Sequence, residues 1–299
     1  MCAKQVKKVP GEVETTGHVW DGIEELNTPL PRWWVWVFYL TIVFGIGYTV
    51  VYPAWPMLTR ATPGLLGYSE RAEVAAEIQR FDTANGPIKG KLVAAELTAI
   101  SADPELQQFA LSAGKAVFRT NCATCHGSGA AGVAGKGYPN LLDNDWLWGG
   151  DVTAIHATIT HGIRNTNDPD ARLSQMPSFG VDELLTPEQI GDVVEYVLQM
   201  SGQDHDAARA TAGAAVFTEN CAACHGDDGK GNRDLGSPNL TDAIWLYGGA
   251  RETITASVHQ ARYGVMPAWG YTAPGTTALL SEDEIRAVAV YVHSLGGGE

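Results

Sequence analysis

Residues 113–127 read AGKAVFRTNCATCHG, and residues 212–226 read AGAAVFTENCAACHG. The two stretches match at an offset of 99, and the match extends outward from them. Pro139-Asn140-Leu141 corresponds to Pro238-Asn239-Leu240, and Trp146-Leu147-Trp148-Gly149-Gly150 to Trp245-Leu246-Tyr247-Gly248-Gly249. Further on the offset is 90, where Met176-Pro177-Ser178-Phe179-Gly180 meets Met266-Pro267-Ala268-Trp269-Gly270. The first copy thus carries extra residues near Asn165 to Arg172, a polar stretch that predicts a surface loop. A copy of about 95 residues is a small domain rather than a solenoid unit.

Both copies are bracketed by helix signals. Asp103 can cap a helix with Pro104 at its first position. Thr186-Pro187-Glu188-Gln189 is a capping box, followed by Ile190, Val193, Val194 and Val197 at helical spacing. Ser281 and Glu284 repeat the box before Ile285, Val288, Ala289, Val292 and Leu295. Both stripes read as core faces. Between the helices the chain is rich in Gly, Pro and Asn, with little strand alternation, so the class is all-α with long loops. So small and loop-rich a domain needs a staple or a prosthetic group to complete its core.

Five cysteines are present: Cys2 and the pairs Cys122/Cys125 and Cys221/Cys224. Each pair lies in Cys-x-x-Cys-His, ending at His126 and His225, which reads as c-type haem attachment. On a helical turn, i and i+3 face the same way, so two thiols can reach the two vinyl groups of one porphyrin. The next residue can point its imidazole at the iron. A thioredoxin-like reading needs a βαβ context that is missing, and a four-Cys zinc site would have to join motifs in two complete repeats. Two covalent haem c groups are expected.

The methionines are Met1, Met57, Met176, Met200 and Met266. Met176 and Met266 stand at matching places, each before Pro, and are the expected sixth iron ligands. Taken from the same copy as the thiols, they pair His126 with Met176 and His225 with Met266. A neutral thioether raises the reduction potential of the iron. Met200 sits on a core stripe. His156, His161 and His259 have no histidine partner in the other copy and read as surface or supporting groups. Pro139 and Pro238, each 13 residues past the axial His, offer carbonyls to the imidazole Nδ1–H. Trp146 and Trp245 could lie on the haem edge with the indole N–H toward a propionate. An iron filled on both sides moves single electrons and binds no substrate, so no catalytic residues are expected.

From Trp33 to Thr59 there is no Asp, Glu, Lys or Arg. Residues 33–52, WWVWVFYLTIVFGIGYTVVY, cover about 30 Å as a helix, the thickness of a bilayer's hydrocarbon core. Trp33, Trp34 and Trp36 gather at one end and Tyr48, Tyr52 and Trp55 at the other, as in an interfacial aromatic belt. The run is too long for a signal-peptide core and no cleavage site follows closely, which predicts an uncleaved anchor. Cys2 has no apolar run before it and reads as a plain thiol. Basic residues do not decide orientation: Arg32 lies just before the span, Arg60 and Arg71 just after. Acidic residues exceed basic ones by 34 to 20, giving a net charge of −14. That excludes nucleic acid as a main partner. Nearly all the excess lies beyond the span, so a basic or weakly charged docking partner is expected.

The chain resembles the CcoP/FixP family, the dihaem subunit of cbb3-type cytochrome c oxidases. The haem repeats look like class I cytochrome c domains. More specific are residues 18–34, HVWDGIEELNTPLPRWW, then Tyr52-Pro53 and Gly64-Leu65-Leu66-Gly67-Tyr68, which are similar to the family's N-terminal anchor. The resemblance implies a cytoplasmic tail over 1–32, a transmembrane helix over 33–52 and a periplasmic linker over 53–104. A first cytochrome c domain over 105–202 and a second over 203–299 follow. It maps the family's ligands onto His126, Met176, His225 and Met266. It further implies a bacterial inner-membrane protein, with its N-terminus inside and its haems outside. Electrons would pass from a soluble or membrane-bound cytochrome c, through this subunit and a monohaem subunit, to a haem-copper catalytic subunit. A dihaem anchor of another respiratory enzyme, a dehydrogenase or nitric oxide reductase, is the alternative reading.

Overall fold

The structure is a computed structural model that describes residues 13–271 and 277–297. Cys2, Lys4, Lys7 and Lys8 lie outside the described residues. The chain forms two compact units, Met1–Thr83 and Ala84–Glu299.

The first unit opens with a hairpin, β1 (Thr15–Trp20) against β2 (Ile23–Leu26), antiparallel with Trp20 opposite Ile23. Asp21 and Gly22 turn the chain at φ 51° and 83°. That is the double left-handed turn whose twist matches a two-residue hairpin. This small sheet departs from the purely helical expectation, and the Asp-Gly dipeptide is its sequence signal. Helix α1 (Arg32–Val51) follows, long and apolar enough to cross a membrane, with no residue of the helix buried. Pro31 precedes it. At its other end the Val50 and Val51 carbonyls accept from Leu65 and Leu66 N–H at 3.0 and 3.1 Å. The Gly64-Leu65-Leu66 loop thus satisfies orphan groups that hydrocarbon would penalise heavily. A Cβ at Gly64 would stand 2.4 Å from the Val51 carbonyl oxygen, so only glycine fits there.

The stretch expected to be linker holds α2 (Glu70–Ala94), with Pro87 inside it, and a 3₁₀ helix over Leu97–Ala102. Most of α2 is exposed, including its apolar Val74, Ile78 and Phe81, and only its end, at Leu92, enters a core.

In the second unit, Asp103 caps α3 (Pro104–Val117), accepting from Glu105 and Leu106 N–H. A π-helical turn over Phe118–Cys122 leads into α4 (Ala123–His126), and α5 (Val152–His161) lies beyond a loop. Then come α6 (Pro187–Met200), α7 (Ala207–Asn220), α8 (Ala222–His225), α9 (Arg251–His259) and α10 (Glu282–His293). The capping boxes expected at Thr186 and Ser281 are formed.

The cores are exchanged between the copies. The first joins Phe118 and the apolar faces of α3 and α5 to Leu280, Ile285, Val288 and Val292 from the end of the second copy. The second joins Phe217 of α7 and Ile254 and Val258 of α9 to Ile190, Val193, Val194 and Val197 of α6. The repeat glycines mark both crossings. A Cβ at Gly114 would lie 2.1 Å from the Ala287 carbonyl oxygen, and one at Gly213 would lie 2.0 Å from that of Asp192. Both arrangements, exchanged or not, would bury the same apolar faces at about 1.5–3 kcal/mol per large side chain. The connections then decide. Only residues 201–206 separate α6 from α7, short enough for the two to fold back on one another as an antiparallel helical hairpin.

Candidate functional site

Each Cys-x-x-Cys-His turn stands where a helix hands over to a short helix, so its thiols share one side of helical backbone. Gly127 and Gly226, at φ 79° and 78°, swing the chain away directly after the histidines. Cys122 packs against the first core and Cys221 against the second. Burial pushes both thiols up to about 11, with the neighbouring thiol of each pair adding to the effect. Such thiols are not the low-pKa thiolates of redox pairs. Among the described residues, no cluster of three metal-donor side chains includes a cysteine.

His126 Nδ1 lies 3.2 Å from the Pro139 carbonyl, and His225 Nδ1 lies 3.1 Å from that of Pro238. A carbonyl only accepts, so Nδ1 carries the proton and Nε2 keeps its lone pair. Burial lowers both imidazole pKa values, opposed by these carbonyls. A neutral ring with one fixed, free nitrogen is what an iron requires.

The two methionines are placed contrary to the same-copy expectation. Met266 packs against the first core, with Cys122; Met176 packs against the second, with Cys221. Backbone bonds hold each loop in place. Trp269 and Gly270 N–H donate to the Ile159 and Thr160 carbonyls at 3.1 and 3.0 Å, and Gly180 N–H donates to His259 O at 3.0 Å. Each Met-Pro loop is therefore tied to the central helix of the other copy. The physical cause is the α6–α7 hairpin, which carries the preceding Met176 loop over with it.

Pro139 and Pro238 stand as described. Trp146 and Trp245 lie against the first and second cores, but the Trp146 indole donates to the Gly297 carbonyl. A different tryptophan has the open donor. Trp148 is 8% exposed, and its Nε1 has no partner among the described residues. A buried indole N–H without an acceptor is costly, and a haem propionate would satisfy it. Arg172 stacks on the Trp148 ring at 5.0 Å, as Arg262 stacks on Tyr247 at 4.7 Å. Trp148 and Tyr247 also close against glycines of the opposite copy, Gly236 and Gly137. Their matched places in the repeat were the available signal. The paired thiols, the fixed imidazoles, the seated thioethers and this orphan donor together fit covalently held haem.

The extra stretch of the first copy is tucked in rather than merely superficial. Asp168 is 2% exposed and lies 3.0 Å from His161 Nδ1. His156 pairs with Glu282 at 3.1 Å, in keeping with a supporting role. In the second half, Glu195 of α6 is 5% exposed and receives Arg251 Nε and Nη2 at 2.7 and 3.0 Å and Asp206 N–H at 2.8 Å. That cluster fastens α6 to α9 and to the start of α7.

Comparison with known proteins places the chain among cytochromes. The N-terminal domain of cytochrome oxidase-cbb3, FixP, matches residues 12–59, and cytochrome c matches residues 111–201 and 210–296. A cbb3-type cytochrome c oxidase subunit CcoP from Cereibacter sphaeroides is 62% identical over 299 residues, covering 100% of both chains. The CcoP of Rhodobacter capsulatus is 58% identical across 96% of this chain and 97% of its own. The FixP of Sinorhizobium medicae is 51% identical across 99% and 98%.

Proposed function

The chain belongs to the CcoP/FixP family of cbb3-type cytochrome c oxidase subunits, and on that premise we propose that it carries electrons within such an oxidase while another subunit reduces oxygen. The observation that carries this reading is the twofold site: paired thiols, a carbonyl-fixed histidine and a seated methionine, built twice. Cys122 and Cys125 hold one haem c, and Cys221 and Cys224 the other. His126 and Met266 are the axial ligands of the first, His225 and Met176 those of the second. Pro139 and Pro238 orient the imidazoles. When bound, haem c supplies a one-electron ferric/ferrous couple, whose potential a methionine ligand raises. With both axial positions taken by side chains, this chain offers no open coordination site for oxygen.

The partners are the haem-copper subunit, a monohaem c-type subunit and a soluble or membrane-bound cytochrome c donor. The names of the relatives support membership of the oxidase, and α1 supports anchoring in the bilayer. Haem c attachment outside the bacterial cytoplasm supports an inner-membrane protein with residues 1–32 inside and the haem units in the periplasm. Detergent extraction followed by intact-mass and metal analysis tests the reading. The expected result is two covalent haems on this chain, co-purifying with haem b and copper. A colourless denatured chain, or a complex without copper, would overturn it.

A further inference from the structure

The two copies differ in charge around their matched Cys-x-x-Cys-His turns. Residues 113–138 carry Lys115, Arg119 and Lys136 and no acid, a net +3. The equivalent residues 212–237 carry Glu219, Asp227, Asp228 and Asp234 against Lys230 and Arg233, a net −2. Position by position, Ser128 is replaced by Asp227, Gly129 by Asp228 and Gly135 by Asp234, while Lys115 gives way to Ala214 and Arg119 to Thr218. All four acids, and all three bases of the first copy, are exposed. Lys230 and Arg233 also line the cleft between the copies with Asp145 and Asp242, and Lys230 meets Asp228 at 3.6 Å, which leaves the net −2. Cys224 is exposed, whereas its counterpart Cys125 is only half-open. The exposed residues flanking the second copy's Cys-x-x-Cys-His turn thus form a net acidic collar, and those flanking the first a basic one.

We propose that the acidic collar of the second copy is where a basic, lysine-rich reduced c-type cytochrome docks, and that electrons come in at that copy. The inference rests on the proposed electron-carrying role. The donor loses one electron and the second copy's ferric iron gains it; no bond forms and no proton moves. Complementary charge raises encounter rates by about 10- to 1000-fold and like charge suppresses the wrong approach. The basic collar of the first copy therefore turns the same donor away.

The test uses the full chain with its partner subunits in detergent and reduced mitochondrial cytochrome c as the probe. Glu219→Gln, Asp227→Asn, Asp228→Asn and Asp234→Asn, combined, are expected to slow second-order reduction about tenfold at low salt and to flatten its salt dependence. Lys115→Gln, Arg119→Gln and Lys136→Gln, combined, should leave the rate unchanged or raise it. Carbodiimide coupling should join probe lysines to the same four carboxylates. Unchanged rates in the acidic variant, or cross-links mapping to the first copy, would overturn the docking site. Haem staining separates the two levels. A chain with both haems and an unaltered rate refutes the docking alone, and a chain without covalent haem refutes the electron-carrying role as well.

Discussion

Ile163 and Met266 exchange both of their backbone hydrogen bonds, Ile163 N–H to Met266 O at 3.1 Å and Met266 N–H to Ile163 O at 2.9 Å. The pair fastens the second copy's methionine to the strand of chain that leaves α5. It is a small piece of antiparallel ladder, with side chains set by its register. Among the described residues, Met266 makes no such paired backbone bonds within its own copy.

That relationship predicts which methionine serves which iron. With Cys122→Ser and Cys125→Ser in place, only the second haem is attached. Adding Met176→Ala should then abolish the weak red-edge absorption of a methionine-ligated ferric haem and turn the spectrum high-spin. Adding Met266→Ala should leave that band intact. The reverse pattern would restore pairing within each copy.

Close helix crossings give a second prediction. Gly114→Ala and Gly213→Ala each push a methyl group into backbone that cannot rotate away. Overpacking of this kind costs about 1–3 kcal/mol. Gly129→Ala, where nothing stands within 4 Å, should stay within about 0.5 kcal/mol of the parent. Denaturant unfolding of the haem-loaded protein measures all three, and equal effects would sink the crossing.

The Glu195–Arg251 cluster makes stability depend on pH. Hydrogen bonding from Arg251 holds the Glu195 carboxyl below its ordinary value, with the Asp206 N–H acting the same way and burial opposing. A depressed carboxylate binds fewer protons folded than unfolded. Its contribution is therefore complete above the unfolded pKa, near 4.5, and is lost as pH falls below it toward the folded value. Glu195→Gln should lower the thermal midpoint at pH 7, and the gap from the parent should narrow as the pH drops below about 4.5. A gap that widens on acidification would contradict the sign.

Anchoring by α1 is tested at its middle. Ile42→Arg places a charge at the centre of the span at a cost of about 2.5–3.5 kcal/mol. The variant should shift from membrane to soluble fractions, while Thr59→Arg, beyond the helix, should not. Equal partitioning of both would count against a spanning helix.

Much of this architecture was legible in the residues. The Cys-x-x-Cys-His motifs fixed the positions of thiols and imidazoles because attachment is local, confined to one helical turn. Thr186 and Ser281 announced their helices because capping is local too. Met176 and Met266 were identifiable from repeat symmetry, but symmetry is blind to which copy each one serves. Offsets along the chain do not distinguish a pair of self-contained domains from a pair that trade their last helices. The six residues of 201–206 were the clue. Helix α2 escaped notice because Gly86 and Pro87 interrupt it and its spaced Val74, Ile78 and Phe81 are left exposed, and the hairpin did because its exposed strands show no buried face. Trp148 was overshadowed by Trp146, two residues earlier in the same motif.

The traded closing helices impose an order on biogenesis. Chains emerge from the ribosome N-terminus first, so the first repeat is made long before α10 exists. Until α10 (Glu282–His293) is made, α3 and α5 lack the face of Ile285, Val288 and Val292 that completes their core, and the cradle around Cys122 stays open on that side. The second repeat meets α6 already made and can shut as soon as α9 arrives. A nonsense codon ahead of α10 would therefore cripple the earlier repeat and spare the later one's helical partners.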